Sequence, residues 1–143
     1  MKRITVLLAE NHPIVREEIV ALLKAEDDIE VVGEAADGRQ AVKLAKKLMP
    51  AIIILDIAMP LLNGLEATRQ ILKFSPKAKV LILSAHTDDA YVENVIALGG
   101  VGYVVKQQTA SNVLPKAIRE VQKGNRFLSP GLSRRFIHGH VAH

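Results

Sequence analysis

The chain of 143 residues contains no cysteine. That excludes disulfides, thiolate metal sites and cysteine nucleophiles, and it fits a cytosolic protein. No segment approaches the ~20 uninterrupted apolar residues of a membrane-spanning helix. The basic start, Met1-Lys2-Arg3, with apolar residues running to Ala9, could pass for a secretory leader. Glu10-Asn11-His12 follows at once, so the run reads as a buried strand instead. No glycine-rich phosphate loop follows that strand, which ranks a nucleotide-binding enzyme last. Acid is missing from residues 125–143, where Arg126, Arg134 and Arg135 supply +3 of the formal net charge of +4. Residues 1–124 balance 16 basic against 15 acidic side chains and are nearly neutral. With no basic face and no nucleic-acid motif, the basic end reads as a solvated tail or linker. His138, His140 and His143 in that tail read as incidental.

Hydrophobic residues make up 49% of the chain, enough for one compact domain with a real core. Apolar runs alternate with helical patterns. The runs are 4–9, 29–35, 51–55, 80–83 and 102–105. The first, third and fourth are almost wholly apolar, as expected of parallel strands covered on both faces. The second alternates more and is expected nearer a sheet edge.

Helical spacing connects the runs. Pro13 suits a helix start, with Ile14, Ile19, Leu22 and Leu23 as its stripe. Gly38 to Leu48 is stopped by Pro50, and Leu65 to Phe74 ends before Pro76. Asp88-Asp89 open a helix over Tyr91 to Leu98, closed by Gly99-Gly100. The last helix spans Ser111-Asn112 to Lys123. Five strand–helix units predict an α/β doubly wound, five-stranded parallel sheet of strand order 2-1-3-4-5, flavodoxin-like, with helices on both faces. The expected domain is 1–124, with 125–143 outside it.

In such sheets ligands bind beyond the carboxyl ends of the strands, near the switch in strand order. Glu10 and Asn11 follow the first strand there, Asp56 the third, Ser84 the fourth and Lys106 the fifth. A carboxylate such as Asp56 can attack phosphorus. A divalent cation on neighbouring oxygens would offset the repulsion between two anions, and Mg²⁺ suits carboxylate and phosphate oxygens. Lys106 can place positive charge on phosphoryl oxygens and Ser84 can donate a hydroxyl to them. Taken singly, each has a plainer role: Asp56 as a turn cap, Glu10-Asn11 as caps for the helix at Pro13, Ser84 as a loop hydroxyl, Lys106 as a surface lysine. Convergence of complementary groups at four strand ends is what favours chemistry.

The stretches Leu7-Leu8-Ala9-Glu10-Asn11-His12-Pro13, Asp56-Ile57-Ala58-Met59-Pro60 with Asn63-Gly64, Val80 to Ala85, and Ala97 to Lys106 together resemble response-regulator receiver domains. The likeness is greatest to those of NarL/LuxR-type transcription regulators and covers residues 4 to about 130. It implies a two-component phosphoprotein that accepts a phosphoryl group on Asp56 from a sensor histidine kinase. It implies Mg²⁺ held by Glu10, Asn11, Asp56 and the Ala58 carbonyl, with Ser84 and Lys106 on the phosphoryl group and Ser84 with Tyr103 as the switch pair. Such a protein is cytoplasmic, catalyses only its own phosphoryl uptake and loss, and forms no membrane contact. A weak homodimer is expected through the first and fifth helices, pairing acids of one chain with Lys116 and Arg119 of another. DNA contact is expected only through a helix-turn-helix domain, which nothing up to His143 resembles.

Two departures from the family pattern stand out. Glu10 is longer than the usual first aspartate, and Asn11 replaces an acid, which removes one negative charge from the metal site. Asn11 keeps open the alternative of a phosphorylation-independent pseudo-receiver, a constitutive interaction module of the same fold. Intact Asp56, Ser84 and Lys106 speak against it.

Overall fold

In the computed structural model, described for residues 2–85, 89–106, 112–130, 132, 136–137 and 140–141, the order of elements follows the hydrophobic pattern. They are β1 (Ile4–Ala9), α1 (Pro13–Lys24), β2 (Ile29–Ala35), α2 (Gly38–Leu48), β3 (Ile52–Asp56), α3 (Gly64–Phe74), β4 (Lys79–Ser84), α4 (Asp89–Ala97), β5 (Gly102–Val105) and α5 (Val113–Gln122). Three short strands follow: β6 (Phe127–Leu128), β7 (Phe136–Ile137) and β8 (His140–Val141). The main sheet is parallel with order β2-β1-β3-β4-β5-β6, and β7 and β8 pair as a separate antiparallel hairpin.

The expected five-strand order is present, with β2 at an edge, but the sheet has six strands and does not end at β5. Gly102 pairs with Phe127 and Tyr103 with Leu128. The fully buried Ser129 accepts the Val105 N–H on its Oγ at 2.8 Å, and Leu132 enters the core. Part of the segment expected to be a solvated tail therefore belongs to the sheet. A two-residue strand is too short to show periodicity, which is why the pattern missed it. Within that segment Arg134, Arg135, His138 and His143 lie outside the described residues, as do Asp88 and Ser111 further up the chain.

Successive strand residues face opposite sides, and this splits the core into two layers. Leu7, Ile53, Leu55, Ile82, Tyr103 and Val105 pack with Ala41 and Ala45 of α2, Ala67 and Ile71 of α3, and Val92 and Val95 of α4. Val6, Leu8, Ile54, Leu83 and Val104 pack with Ile19 and Leu23 of α1 and with Leu114, Ala117 and Ile118 of α5. Strands covered on both faces need apolar residues at every position, which accounts for the unbroken runs.

Helix ends follow local chemistry. Asp37 Oδ1 accepts the Gln40 N–H at 2.8 Å and Asn63 Oδ1 the Glu66 N–H at 2.9 Å, each capping a helix start. Pro13 takes the first position of α1. Met49 ends α2 in the left-handed region, at φ 48° and ψ 53°, with its side chain 68% exposed. A residue with a Cβ is strained there by about 1 kcal/mol, and the exposed side chain recovers little of it. Met49→Gly is expected to stabilise the fold by about 0.5–1 kcal/mol, read as a higher urea midpoint at unchanged slope. A lower midpoint would mean that the thioether contributes more packing than its exposure indicates.

Candidate functional site

Sheet register gathers the polar residues at one edge. Ala9 lies beside Leu55, Asp56 beside Leu83, and Ser84 beside Val105. Glu10 directly follows Ala9 and Lys106 directly follows Val105. Asp56 and Ser84 are the last residues of their strands rather than the first of the loops, and both are buried, as is Glu10.

Lys106 joins the two acids. Its Nζ lies 3.1 Å from Asp56 Oδ2 and 2.9 Å from Glu10 Oε1. The other oxygens are met by the backbone. The Ala58 N–H donates to Asp56 Oδ1 at 3.1 Å and the His12 N–H to Glu10 Oε2 at 3.0 Å. The plainer roles are thus partly real for Asp56, which closes a local turn, and not for Glu10-Asn11. The N-cap of α1 is His12, with no side-chain cap bond. Gly64 lets α3 start hard against the strand end, since a Cβ on it would stand 2.5 Å from the Asp56 carbonyl oxygen.

The electrostatics follow from burial. Taking Glu10 out of water pushes its carboxyl above the ordinary range. The His12 N–H and the Lys106 ammonium pull it down, while the Asp56 carboxylate pushes it up. Burial also works against the Lys106 ammonium, but its close contacts with the Glu10 and Asp56 carboxylates outweigh it and hold its pKa above the usual lysine value.

Glu10 Oε1 is shielded from solvent and has no aligned hydrogen-bond donor, so the Lys106 approach to it is a charge contact. A buried anionic oxygen left in that state, with Asp56 and the Ala58 backbone alongside and the exposed Asn11 at the rim, suits a hard divalent cation. Among the described residues no three His, Cys, Asp or Glu side chains cluster, in keeping with Asn11 leaving only two acids here.

A model of the response regulator receiver domain matches residues 6–119. This chain belongs to the response-regulator receiver family. It is 36% identical over 135 residues to the transcriptional regulatory protein DegU of Brevibacillus brevis, covering 94% of this chain and 57% of that protein. It is 40% identical over 121 residues to LiaR of Bacillus subtilis, covering 85% of this chain and 57% of LiaR. The receiver thus spans a little under three-fifths of these curated relatives. A LuxR-family two-component response regulator from Aurantimonas sp. superposes with a TM-score of 0.87 at 33% identity, covering 93% of this chain and 94% of that one. The isolated REC domain of RcsB from Salmonella enterica, solved with the phosphomimetic BeF3-, does so with 0.84 at 29%, covering 93% and 98%.

Other expected positions are as follows. Tyr103 is fully buried in the layer shared with α2, α3 and α4. The Ala58 and Asn11 side chains are exposed. Arg119, expected to reach an acidic partner on a second chain, binds Asp28 in its own chain at 2.8 and 2.9 Å and also Glu26. The acids after α1 and the base on α5 meet within one molecule because α1 and α5 pack on the same face of the sheet. Sequence reasoning gave no role to Arg16, whose Nη1 donates to the Glu10 carbonyl at 2.7 Å. Among the described residues no helix is long and apolar enough to cross a membrane.

The raised Glu10 carboxyl predicts a pH dependence. A folded value above the unfolded one favours the neutral form in the fold. That contribution is fully present below the unfolded value and is lost as pH rises through the folded one. In chelator at neutral pH, Glu10→Gln is therefore expected to melt above the native receiver. The gap should close as pH falls into the ordinary carboxylate range. Equal or lower melting of Glu10→Gln at neutral pH would show that Lys106 compensates the carboxylate in full.

Proposed function

We propose that this receiver takes a phosphoryl group on Asp56 from the phosphohistidine of a sensor kinase, needs Mg²⁺ to do so, and controls transcription through an output domain. The observation that carries the reading is the Lys106 ammonium held on the Asp56 carboxylate at the carboxyl edge of the sheet. The names of the relatives support the transcriptional part, and the RcsB domain solved in the presence of a phosphomimetic supports the modification.

The chemistry is nucleophilic transfer. An Asp56 oxygen forms the new P–O bond as the P–N bond of the donor breaks, and the leaving imidazole keeps the electron pair and picks up a proton. Oδ2 is shielded by Lys106 and Oδ1 by the Ala58 N–H, so one of these contacts must yield to the phosphoryl group. Lys106 then pairs with the phosphoryl oxygens and Ser84 donates its hydroxyl to one of them. Mg²⁺, when held by Glu10, Asn11, Asp56 and the Ala58 carbonyl, supplies the positive charge that lets two anions approach. Attack of water on phosphorus reverses the modification and releases inorganic phosphate. The protein thus acts on itself and turns over no separate substrate.

Drawing Ser84 toward the phosphoryl group alters packing at the end of β4, next to Tyr103 and Val105 on β5, and so reaches the α4–β5–α5 surface. Weak self-association through α1 and α5 is part of the reading. With Arg119 engaged internally, its charges are the exposed Glu17 and Glu18 on α1 and Lys116 on α5, beside Ile14, which is 70% exposed.

Incubation with acetyl phosphate and Mg²⁺ should add the mass of one phosphoryl group to the native chain and none to Asp56→Asn. A full gain in that variant would move the acceptor elsewhere. Asn11→Asp restores a negative charge to the metal site and should tighten Mg²⁺ binding severalfold. Calorimetric titration giving equal or weaker binding would remove Asn11 from the ligand set. Sedimentation of the phosphorylated chain should show a dimer that Lys116→Glu weakens. A monomer at every concentration would end the self-association reading.

A further inference from the structure

We infer that Arg16 is a positioning residue for the phosphoryl-transfer site, acting through the Glu10 backbone. The inference rests on the phosphorylation reading for its consequence and on geometry for its substance. Arg16 lies in the first turn of α1, with its side chain 21% exposed, and Nη1 donates to the Glu10 carbonyl at 2.7 Å. A guanidinium donor to a carbonyl is a charge-assisted hydrogen bond, shorter and stronger than a neutral one.

Glu10 is then fixed along its whole length. Its N–H donates to the Ala35 carbonyl at 3.0 Å, its carbonyl accepts from Arg16, and its Oε2 accepts from the His12 N–H. The His12 carbonyl in turn accepts the Arg16 backbone N–H at 2.9 Å, so Glu10 and His12, on either side of Asn11, are both tied to Arg16. Arg16 Nε lies 3.5 Å from Glu34 Oε1 at the end of β2. Glu34 is 47% exposed, so this pair adds little energy and serves to aim the guanidinium.

Arg16 is absent from the influences on the Glu10 carboxyl, which are burial, His12, Lys106 and Asp56. Its effect on the site is therefore one of position. That matters more here than in a site with two acids following β1. Asn11 binds a cation only through a neutral oxygen, so affinity depends on that oxygen and the Glu10 carboxylate being set in place beforehand. Groups that orient metal ligands without touching the metal change affinity by about 10–100-fold in general.

The test uses the full chain, with Mg²⁺ affinity from calorimetric titration and amide hydrogen exchange of residues 10–16 in chelator. Arg16→Ala is expected to weaken Mg²⁺ binding about tenfold and to speed exchange of the His12 amide before any metal is added. Arg16→Lys, which keeps one donor and the charge, should recover much of the affinity, and Glu34→Gln should stay within about twofold of native. If Arg16→Ala fails to fold, the Arg16→Lys and Arg16→Gln pair carries the comparison, with the amide binding more weakly than native. Unchanged Mg²⁺ affinity and exchange in Arg16→Ala would overturn the inference. So would a lower melting temperature with Mg²⁺ affinity intact, since Arg16 would then only staple α1. Both readouts are independent of phosphoryl transfer. A native chain that binds Mg²⁺ but takes no phosphoryl group would defeat the proposed function and leave the positioning role standing.

Discussion

A half-buried lysine shared by two buried carboxylates is the constraint on which the site depends. Glu10 and Asp56 are both withdrawn from water at adjacent strand ends, and two such anions repel. Lys106 reaches both from the end of β5 and brings a positive charge to them. Removing the lysine from such a group is expected to be strongly destabilising, because it leaves two buried carboxylates without compensation. The arrangement is nonetheless incomplete as a resting structure. One Glu10 oxygen lacks an aligned donor, and the carboxyl is held above its ordinary range. Stability is given up at the carboxyl edge of the sheet, as functional sites commonly require.

The surrounding fold keeps these groups in place with little freedom. Parallel register sets Ala9, Asp56 and Ser84 at neighbouring strand ends, so a slip of one residue would turn the whole set to the other face. Gly64 permits the start of α3 to touch the backbone of Asp56. A Cβ there would have to displace main chain, which cannot yield as a flexible side chain does. On the far edge, Ser129 takes up the Val105 N–H and fixes the strand that leads to Lys106. The lysine's position therefore depends on residues that come well after the last helix.

Charge organisation within one chain also limits how copies can meet. Arg119 with Glu26 and Asp28 ties α5 to the turn after α1 through partly exposed contacts. Such contacts orient more than they stabilise. They leave Ile14 and the acids of α1 exposed beside the active edge, a surface continuous with the loop that holds Glu10 and Asn11.

Sequence alone determined the alternation of strand and helix, the edge position of β2, the bounds of α2 and the assembly of Glu10, Asp56, Ser84 and Lys106 at one edge. It could do so because a parallel sheet covered on both faces demands unbroken apolar runs, and because each polar residue breaks such a run where the strand must end. Met49 in its left-handed conformation and the two-residue β6 escaped that reading, since neither produces periodicity. Only the tertiary structure decided that Arg119 satisfies the acids of its own chain and that Arg16 holds the Glu10 carbonyl. Both contacts depend on how helices sit against the sheet, and a helical pattern specifies which residues are buried without specifying which exposed side chains will meet. Pairs such as Arg119 and Asp28, 91 residues apart, become neighbours only when right-handed crossovers place α1 and α5 on the same face.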